Sequence, residues 1–286
     1  MLSLHTNNAA LSAQNSISRT QSTLSTSMTR LSTGYRINSA MDDAAGLQIA
    51  SRLKAQTSGM TVAMRNTQNA TSMLQTAEGA LDEVSNMLIR MKDLATQAAD
   101  ASSNGDDKTA MQSEYDALGL ELANVMKNTT FGGEALLAAD GKLSEAMKFQ
   151  IGASADETME VNLGTQLGDL ATALGDATAN YAATAGGDEL TADGTASTAI
   201  TNLGTALDAV GTLRSGLGAA ANRLEHVNNN LSNISTNTKA ATGLIMDVDF
   251  ASESANMTSN QMLLQASTAM LKQSNSQSSL VMSLLQ

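Results

Sequence analysis

The feature that most constrains this chain is a seven-residue repeat of small and apolar side chains through its last third. One row holds Leu203, Val210, Leu217, Leu224, Leu231, Thr238 and Ile245, and a second holds Ala206, Leu213, Ala220, Val227, Ile234, Ala241 and Val248. A strict seven-residue repeat keeps one narrow seam of a helix facing its partner and winds the pair into a left-handed coiled coil. The repeat therefore predicts long helices packed side by side.

Helical spacing also runs through the first half of the chain. A ladder with steps of three and four residues contains Met60, Ala63, Thr67, Ala70, Leu74, Ala77, Leu81, Val84, Leu88, Met91, Ala95 and Ala98. It ends at a cluster of turn-forming residues, 102–107, and resumes at Met111. The 286 residues include no proline, so nothing of that kind interrupts these helices.

Shorter apolar stripes occupy both ends of the chain. They consist of Ile17, Leu24 and Leu31 near the start, and Met257, Leu264, Leu271 and Leu285 near the end. Glycine at position 34 permits a turn after the first stripe, and the pair Asp42–Asp43 can cap the next helix. Because helical patterns lie at both ends, the simplest fold runs down, across and back, with the termini side by side.

Between the helical regions the apolar period changes to two. Phe149, Ile151, Met159, Val161 and Leu163 alternate with polar residues on either side of residues 152–158, which predicts one β-hairpin. Residues 164–199 are rich in Gly, Ala, Thr and Asp and predict either a small surface excursion or a flexible spacer.

The predicted fold class is mainly α: a long antiparallel helical coiled-coil bundle with one β-hairpin region and paired N- and C-termini. We expect three parts. Residues 1–40 and 250–286 form a terminal helical domain, residues 41–163 and 200–249 form a rod domain with the hairpin, and residues 164–199 form a short variable surface insertion.

The charge distribution excludes several classes of partner. The net charge is −12, yet residues 1–60 carry five bases against two acids and residues 251–286 are neutral, so the excess of acid lies in the middle. Nucleic-acid binding is disfavoured, because it needs a basic face. No stretch approaches the ~20 apolar residues of a membrane span. The first residues have neither the basic start nor the apolar run of a cleavable signal peptide.

No residue pattern indicates catalysis, a cofactor or a metal site. Cysteine is absent, and Glu225-His226 lacks the second histidine of a zinc-protease helix. Asp247, Asp249 and Glu253 lack the glycine and the number of ligands of a calcium loop, so helix capping or solvated charge is the better interpretation. We therefore predict that the chain is not an enzyme.

The terminal stripes themselves suggest association with other copies. They are narrow and interrupted by Ala, Ser and Thr, so their burial gains little against ~1–2 kcal/mol of backbone entropy per ordered residue. The terminal helices are then marginal in a lone chain and become ordered when neighbours cover them. The alternative, that the stripes pack only on the chain's own core, remains open on periodicity alone.

Several motifs resemble those of one known family. Residues 31–52 read LSTGYRINSAMDDAAGLQIASR, residues 76–84 read TAEGALDEV and residues 90–97 read RMKDLATQ. Later motifs are NTTFGG at 128–133, FQIGA at 149–153, TLRSGLGAAANR at 212–223 and SLLQ at 283–286. In this order they resemble bacterial flagellins over about residues 1–163 and 200–286.

The resemblance implies a subunit that polymerises into the flagellar filament and serves motility. It implies export of the unfolded chain by the flagellar type III route and folding at the filament tip. The terminal helices would form the inner tube, with the stripe of Ile17, Leu24, Leu31, Met257, Leu264, Leu271 and Leu285 as polymerisation contacts. The implied partners are further copies of the chain, an export chaperone, the filament cap and the hook-filament junction proteins. No cofactor, nucleic acid or membrane is implied.

The same resemblance implies recognition by the vertebrate Toll-like receptor for flagellin. In flagellins bound by that receptor, an arginine and a leucine on a long helix make the main contact. Arg90 and Leu94 occupy the matching positions, with Glu114 as a weaker contact, while Ile89 replaces the usual glutamine. Two alternatives to the filament subunit stay open: a junction protein between hook and filament, and a membrane-active amphipathic protein. The second is disfavoured because the ends lack a basic polar face and aromatic anchors.

Overall fold

The computed structural model describes residues 7–182, 187–192 and 194–284, apart from the side chains of residues 182 and 278–284. These residues form six α-helices: α1 (Asn8–Thr33), α2 (Ala44–Ala98), α3 (Gly105–Asn128), α4 (Gly164–Ala177), α5 (Thr195–Met246) and α6 (Phe250–Leu284). The strands are β1 (Thr130–Phe131), β2 (Glu134–Ala135), β3 (Met147–Gln150) and β4 (Thr158–Val161). Two short 3-10 helices cover Lys142–Ser144 and Ala179–Ala182. The predicted mainly helical fold class is confirmed.

The chain divides into two compact units. Residues 1–56 and 236–286 make up the terminal unit, and residues 57–235 make up the central unit. Both boundaries fall within long helices, α2 and α5. They differ from the predicted domain limits at residues 40 and 250, which follow turn signals instead. Turn signals in the sequence mark where a helix ends. Compact units are defined by tertiary contacts, and their boundary can fall inside a continuous helix.

The central unit contains a large hydrophobic core and a small separate apolar cluster of Met60, Ala63 and Leu231. All twelve residues of the ladder that begins at Met60 are buried on one face of α2, as their spacing predicts. In α5 the buried row is Leu203, Val210, Leu217, Leu224 and Leu231. The helices run antiparallel, since Arg214 contacts Glu78 while Asn228, further along α5, donates to the Met64 carbonyl, earlier in α2. The predicted pairing of long helices is therefore confirmed.

The second row of the α5 repeat departs from its prediction near the end of this unit. Ile234 is partly exposed and the neighbouring Ser235 is buried instead. A straight helix drifts by ~20° per seven residues relative to a perfect seam. The departure at Ile234 is consistent with that drift.

The sequence predicts a surface insertion at residues 164–199. In the structure, residues 164–177 are instead part of the folded core. These residues form α4, whose Leu167, Leu170 and Leu174 are buried in the core of the central unit, as is Leu190 further along. The leucine steps of three and four residues are helical spacing, which the abundant Gly, Ala and Thr obscured. Residues 183–186 and 193 lie outside the described residues.

A buried polar network fixes the segment after α4. The Tyr115 hydroxyl on α3 donates to the Ala177 carbonyl at 2.6 Å, and burial raises the pKa of Tyr115. The Gln112 side chain donates to Asp116 and Glu189, both at 2.8 Å, and its oxygen accepts from the Leu190 N–H at 2.7 Å. These bonds hold Ala177, Glu189 and Leu190 against α3, so both described ends of this stretch are integrated in the fold.

The described residues contain two β-hairpins, where the sequence predicts one. The predicted hairpin is β3–β4, with Phe149 opposite Met159 and alternating burial along β4. The second pairs β1 with β2 through Gly132 and Gly133, both with positive φ (62° and 88°). A two-residue turn with positive φ at both positions favours glycine and matches strand twist. Strands of two residues are too short to show a period in sequence.

The terminal unit pairs α1 with α6. The Asn7 side chain donates to the Ser274 carbonyl at 3.3 Å, and Arg30 lies 3.8 Å from Glu253, so the two helices are antiparallel. Gly34 ends α1 in the left-handed conformation, with φ of 76°. The Asp43 carboxylate accepts from the Gly46 N–H at 2.8 Å and caps α2. The predicted break, cap and pairing of terminal helices are confirmed.

Candidate assembly surface

The predicted polymerisation stripe lies along the pairing of α1 with α6. Ile17, Leu24 and Leu31 on α1, and Met257, Leu264 and Leu271 on α6, are all half-buried. Leu285 lies outside the described residues. In the free chain these side chains therefore pack against the chain's own helices, as the alternative interpretation predicts. Whether they also contact other copies stays a prediction.

Small and polar residues accompany the stripe along the same pairing. On α1 these residues are Ala13, Thr20 and Ser27, and on α6 they are Asn260, Ser267 and Ser274, each half-buried or buried. One row of large side chains thus pairs the helices, with little apolar surface beside it. Among the described residues of the terminal unit, only Ile37 and Ala50 are fully buried apolar side chains.

Much of the exposed apolar surface belongs to the terminal unit. Of the fourteen large apolar side chains that are exposed among the described residues, ten lie in this unit: Leu11, Met28, Tyr35, Met41, Ile49, Leu244, Phe250, Met262, Leu263 and Met270. The predicted polymerisation stripe includes none of these residues, although Met28, Tyr35, Leu263 and Met270 lie in secondary apolar rows of the sequence. The signal was present in the second apolar row of α6, where Leu263 and Met270 directly precede Leu264 and Leu271.

We define the terminal apolar surface as the five exposed apolar side chains on α1 and α6: Leu11, Met28, Met262, Leu263 and Met270. An open groove of about 500 Å³ runs along α1 here, with Leu24 and Met28 as its apolar lining. Charge is sparse on α6, which carries only Glu253 and Lys272. A face of this kind can approach a like surface with little electrostatic repulsion.

An ion pair marks one end of the α1–α6 pairing. Glu253 is only 8% exposed and lies 3.8 Å from the Arg30 guanidinium, while the Arg30 Nε is buried without a hydrogen-bond partner. Nearby, Asp42 accepts from the N–H groups of Ser39 and Asn38 at 2.9 and 3.0 Å. These hydrogen bonds, the Ser39 N–H first, lower the pKa of Asp42, and the charge of Arg30 adds a smaller effect.

The three predicted receptor contacts are placed differently from one another. The exposed Arg90 side chain donates through Nε to Glu114 at 2.8 Å, and its Nη2 lies 2.7 Å from the same oxygen. Arg90 and Glu114 therefore form one polar site on α2 and α3. Leu94 is 3% exposed within the core, so the structure does not support a surface role for its side chain. Ile89, beside Arg90, is half exposed and is the apolar group available there.

No helix among the described residues is long and apolar enough to cross a membrane. Within the same residues, no cluster of three or more His, Asp or Glu side chains could hold a metal ion. Asp249 caps α6 by accepting from the Ala251 N–H at 3.0 Å and the Ser252 hydroxyl at 2.8 Å. The capping interpretation of this aspartate is therefore confirmed.

Together, these observations define a mainly helical protein with an exposed apolar surface on its paired terminal helices. Two family models match the chain: the bacterial flagellin N-terminal helical region over residues 4–142 and the bacterial flagellin C-terminal helical region over residues 200–285. These two matches together cover well over half of the sequence. The chain belongs to the bacterial flagellin family, whose members are structural proteins rather than enzymes.

Curated relatives agree with this assignment. The chain is 47% identical over 169 residues to polar flagellin F of Vibrio parahaemolyticus, covering 59% of this chain and 44% of that protein. It is 47% identical over 162 residues to the B-type flagellin of Pseudomonas aeruginosa, covering 57% of this chain and 33% of that protein. The chain thus spans less than half the length of these two relatives.

Two solved structures are also similar. A flagellin of Bacillus cereus is 32% identical, with 62% of this chain and 94% of that chain covered and a TM-score of 0.48. A flagellar hook-associated protein of Vibrio parahaemolyticus is 16% identical, with 72% and 99% covered and a TM-score of 0.54. The second likeness concerns the fold alone.

Proposed function

We propose that this chain is the structural subunit of an extracellular flagellar filament used for motility, and that it polymerises through its terminal unit. Membership of the flagellin family supports the filament role. The observation that carries the surface assignment is the apolar exposure of α1 and α6, in a unit with very few fully buried apolar side chains. Burial of this surface against further copies stabilises the polymer by about 25 cal/mol per Å² of apolar area.

The test is elongation of short filament seeds by the purified chain, followed by light scattering and electron microscopy. Leu11→Ser with Leu263→Ser removes two exposed side chains of the terminal apolar surface. Because both positions are exposed, the circular dichroism of the free chain should stay unchanged while elongation slows by about tenfold or more. The matched control is Leu120→Ser, which changes an equally exposed leucine of the central unit.

Unchanged elongation by the double variant would show that the terminal apolar surface is not the contact. A chain truncated after Leu263 gives a second test of the same unit. It should remain soluble and exportable but form no filaments. Normal filaments from the truncated chain would contradict the role of the terminal helices.

A junction protein between hook and filament is the second candidate, because the hook-associated structure shares the fold. The elongation assay separates the two roles. A filament subunit adds repeatedly to the seed, so filament length grows with time. A junction protein would bind a filament end and stop.

Export by the flagellar type III route is part of this proposal, and the family resemblance supports it. The partners in that role are the export chaperone, the filament cap and the hook-filament junction proteins. Secretion of the chain should cease in cells that lack the flagellar export apparatus and continue in cells that lack only the cap.

Recognition by the Toll-like receptor for flagellin is proposed through Arg90 and Glu114, with Ile89 as the neighbouring apolar group. The exposure of Arg90 and Ile89 supports this choice. Arg90→Ala should weaken binding of the soluble receptor domain more than Glu114→Ala does, because arginine supplies the charge-assisted donors. Arg223→Ala, on an exposed position of α5, is the control. Equal binding by all three variants would contradict the assignment.

A further inference from the structure

Methionine exposure differs sharply between the two units. Of the methionine side chains that the structure describes, every one in the central unit is buried or half-buried. In the terminal unit, four are more than half exposed: Met28 (56%), Met41 (96%), Met262 (60%) and Met270 (68%). Exposure of a thioether allows its oxidation to a sulfoxide, which is polar.

Three of these four side chains belong to the terminal apolar surface. Met262 directly precedes Leu263 on α6, and Met270 follows Leu263 by seven residues, so it lies on the same row of that helix. Met28 lines the groove along α1 beside Leu24. Met41 is separate, because it lies in the loop between α1 and α2.

We infer that oxidation of Met28, Met262 and Met270 controls assembly, such that the peroxide-modified chain no longer adds to the polymer. The inference rests on the proposed function, since it requires that further copies cover the terminal apolar surface. The co-reactant is a peroxide. Sulfur forms a bond to one peroxide oxygen, the O–O bond breaks, and the second oxygen leaves as water. Sulfur is oxidised by two electrons and hydrogen peroxide is reduced.

The physical basis is the difference between the free and the assembled chain. A sulfoxide on the free chain stays in water and costs nothing, so the fold is unchanged. On assembly the same group is buried without a hydrogen-bond partner, and that burial is unfavourable. In incorporated subunits these methionines are covered by neighbouring copies, so peroxide cannot reach them, just as it cannot reach the buried methionines of the central unit.

The first measurement is peptide mapping by mass spectrometry after mild hydrogen peroxide treatment. Met28, Met262 and Met270 should gain oxygen in the free chain, while Met60 and Met91, in the core, should not. In assembled filaments the same three residues should be protected. Circular dichroism should be identical before and after treatment.

The second measurement is elongation of untreated seeds by treated chain. The rate should fall by about tenfold or more, and methionine sulfoxide reductase should restore it. The variant with Met28→Leu, Met262→Leu and Met270→Leu should elongate after peroxide at its untreated rate, because leucine is close in volume and resists oxidation. The matched control, Met41→Leu, should remain inhibited by peroxide. If the triple variant fails before peroxide, the three single variants replace it, and each should show reduced inhibition.

The outcomes are distinguishable. Untreated chain that fails to elongate seeds overturns the proposed function and, with it, this inference. Treated chain that elongates normally overturns the inference alone. Equal inhibition of the leucine variants and of Met41→Leu also overturns it, because oxidation would then act elsewhere.

Discussion

The central and terminal units are both built from paired helices, yet they bury very different amounts of apolar surface. In residues 57–235, most of the ladder of α2, most of the repeat of α5 and the leucines of α4 share one large core. In the terminal unit, one half-buried row of large side chains pairs α1 with α6, and few apolar residues are fully buried. The contrast shows that a helical repeat predicts which helices pair but not how stable the pairing is. That stability depends on how many rows of the interface are apolar.

Hydrogen exchange of the free, unassembled chain tests this contrast most directly. We expect amides of α1 and α6 to exchange through openings that cost only a few kcal/mol, well below the global free energy of unfolding. Amides of α2 and α5 between residues 57 and 98 and between 195 and 235 should exchange near the global free energy of unfolding. Equal protection in both units would refute the comparison and would also remove the main support for the terminal unit as an incomplete surface.

Truncation of one core leucine should produce the largest change in stability. Leu88 is fully buried, so Leu88→Ala should lower the free energy of unfolding by about 2–5 kcal/mol. Ile89→Ala, one position along the same helix, is the control because Ile89 is half exposed. Chemical denaturation followed by circular dichroism gives both values, and a similar loss for both variants would contradict the assigned burial.

Loss of the ion pair in the terminal unit should have a smaller effect. Glu253→Ala leaves the partly buried Arg30 without its partner and should destabilise α6 by about 1–2 kcal/mol, a value reduced by the solvent exposure of Arg30. The double variant with Arg30→Ala should recover part of this loss, as a double-mutant cycle would measure. The change should appear in exchange of α1 and α6 amides and leave α2 beyond residue 57 unaffected.

The smallest expected effect is the acid dependence of the α6 cap. Hydrogen bonds from the Ser252 hydroxyl, then from the Ala251 N–H, lower the pKa of Asp249 below its usual 3.8. A lowered pKa in the folded state means that this stabilisation is complete above pH 3.8 and is lost as the pH falls through the folded value. Asp249→Asn should remove this dependence from the exchange of the first α6 amides. If the pH dependence of exchange is the same in Asp249→Asn as in the unchanged chain, the acid response belongs to another group.

Sequence alone predicted the helices, the antiparallel pairings, the break at Gly34 and the cap at Asp43, because each depends on local spacing or local chemistry. It did not predict α4, whose leucines are diluted by small residues, nor the two-residue strands of the first hairpin. The assembly role of the stripe with Leu24 and Leu264 stays a prediction, and the exposure of the neighbouring Leu263 is known only from the structure. Periodicity identifies a face of a helix, but which face a neighbour covers depends on the tertiary fold. The buried position of Leu94 was predictable, because Leu94 lies three residues after Met91 and four before Ala98 on the buried face of α2.

The row of small and polar residues that accompanies the terminal stripe has one more consequence. Ser27, Ser267 and Ser274 add little apolar area to the pairing, so each helix contributes only one large stripe residue for every two turns. We expect opening of the pairing to occur in small steps and without unfolding of the core of residues 57–235. The pairing of α1 with α6 should therefore open and close reversibly while the central unit stays folded.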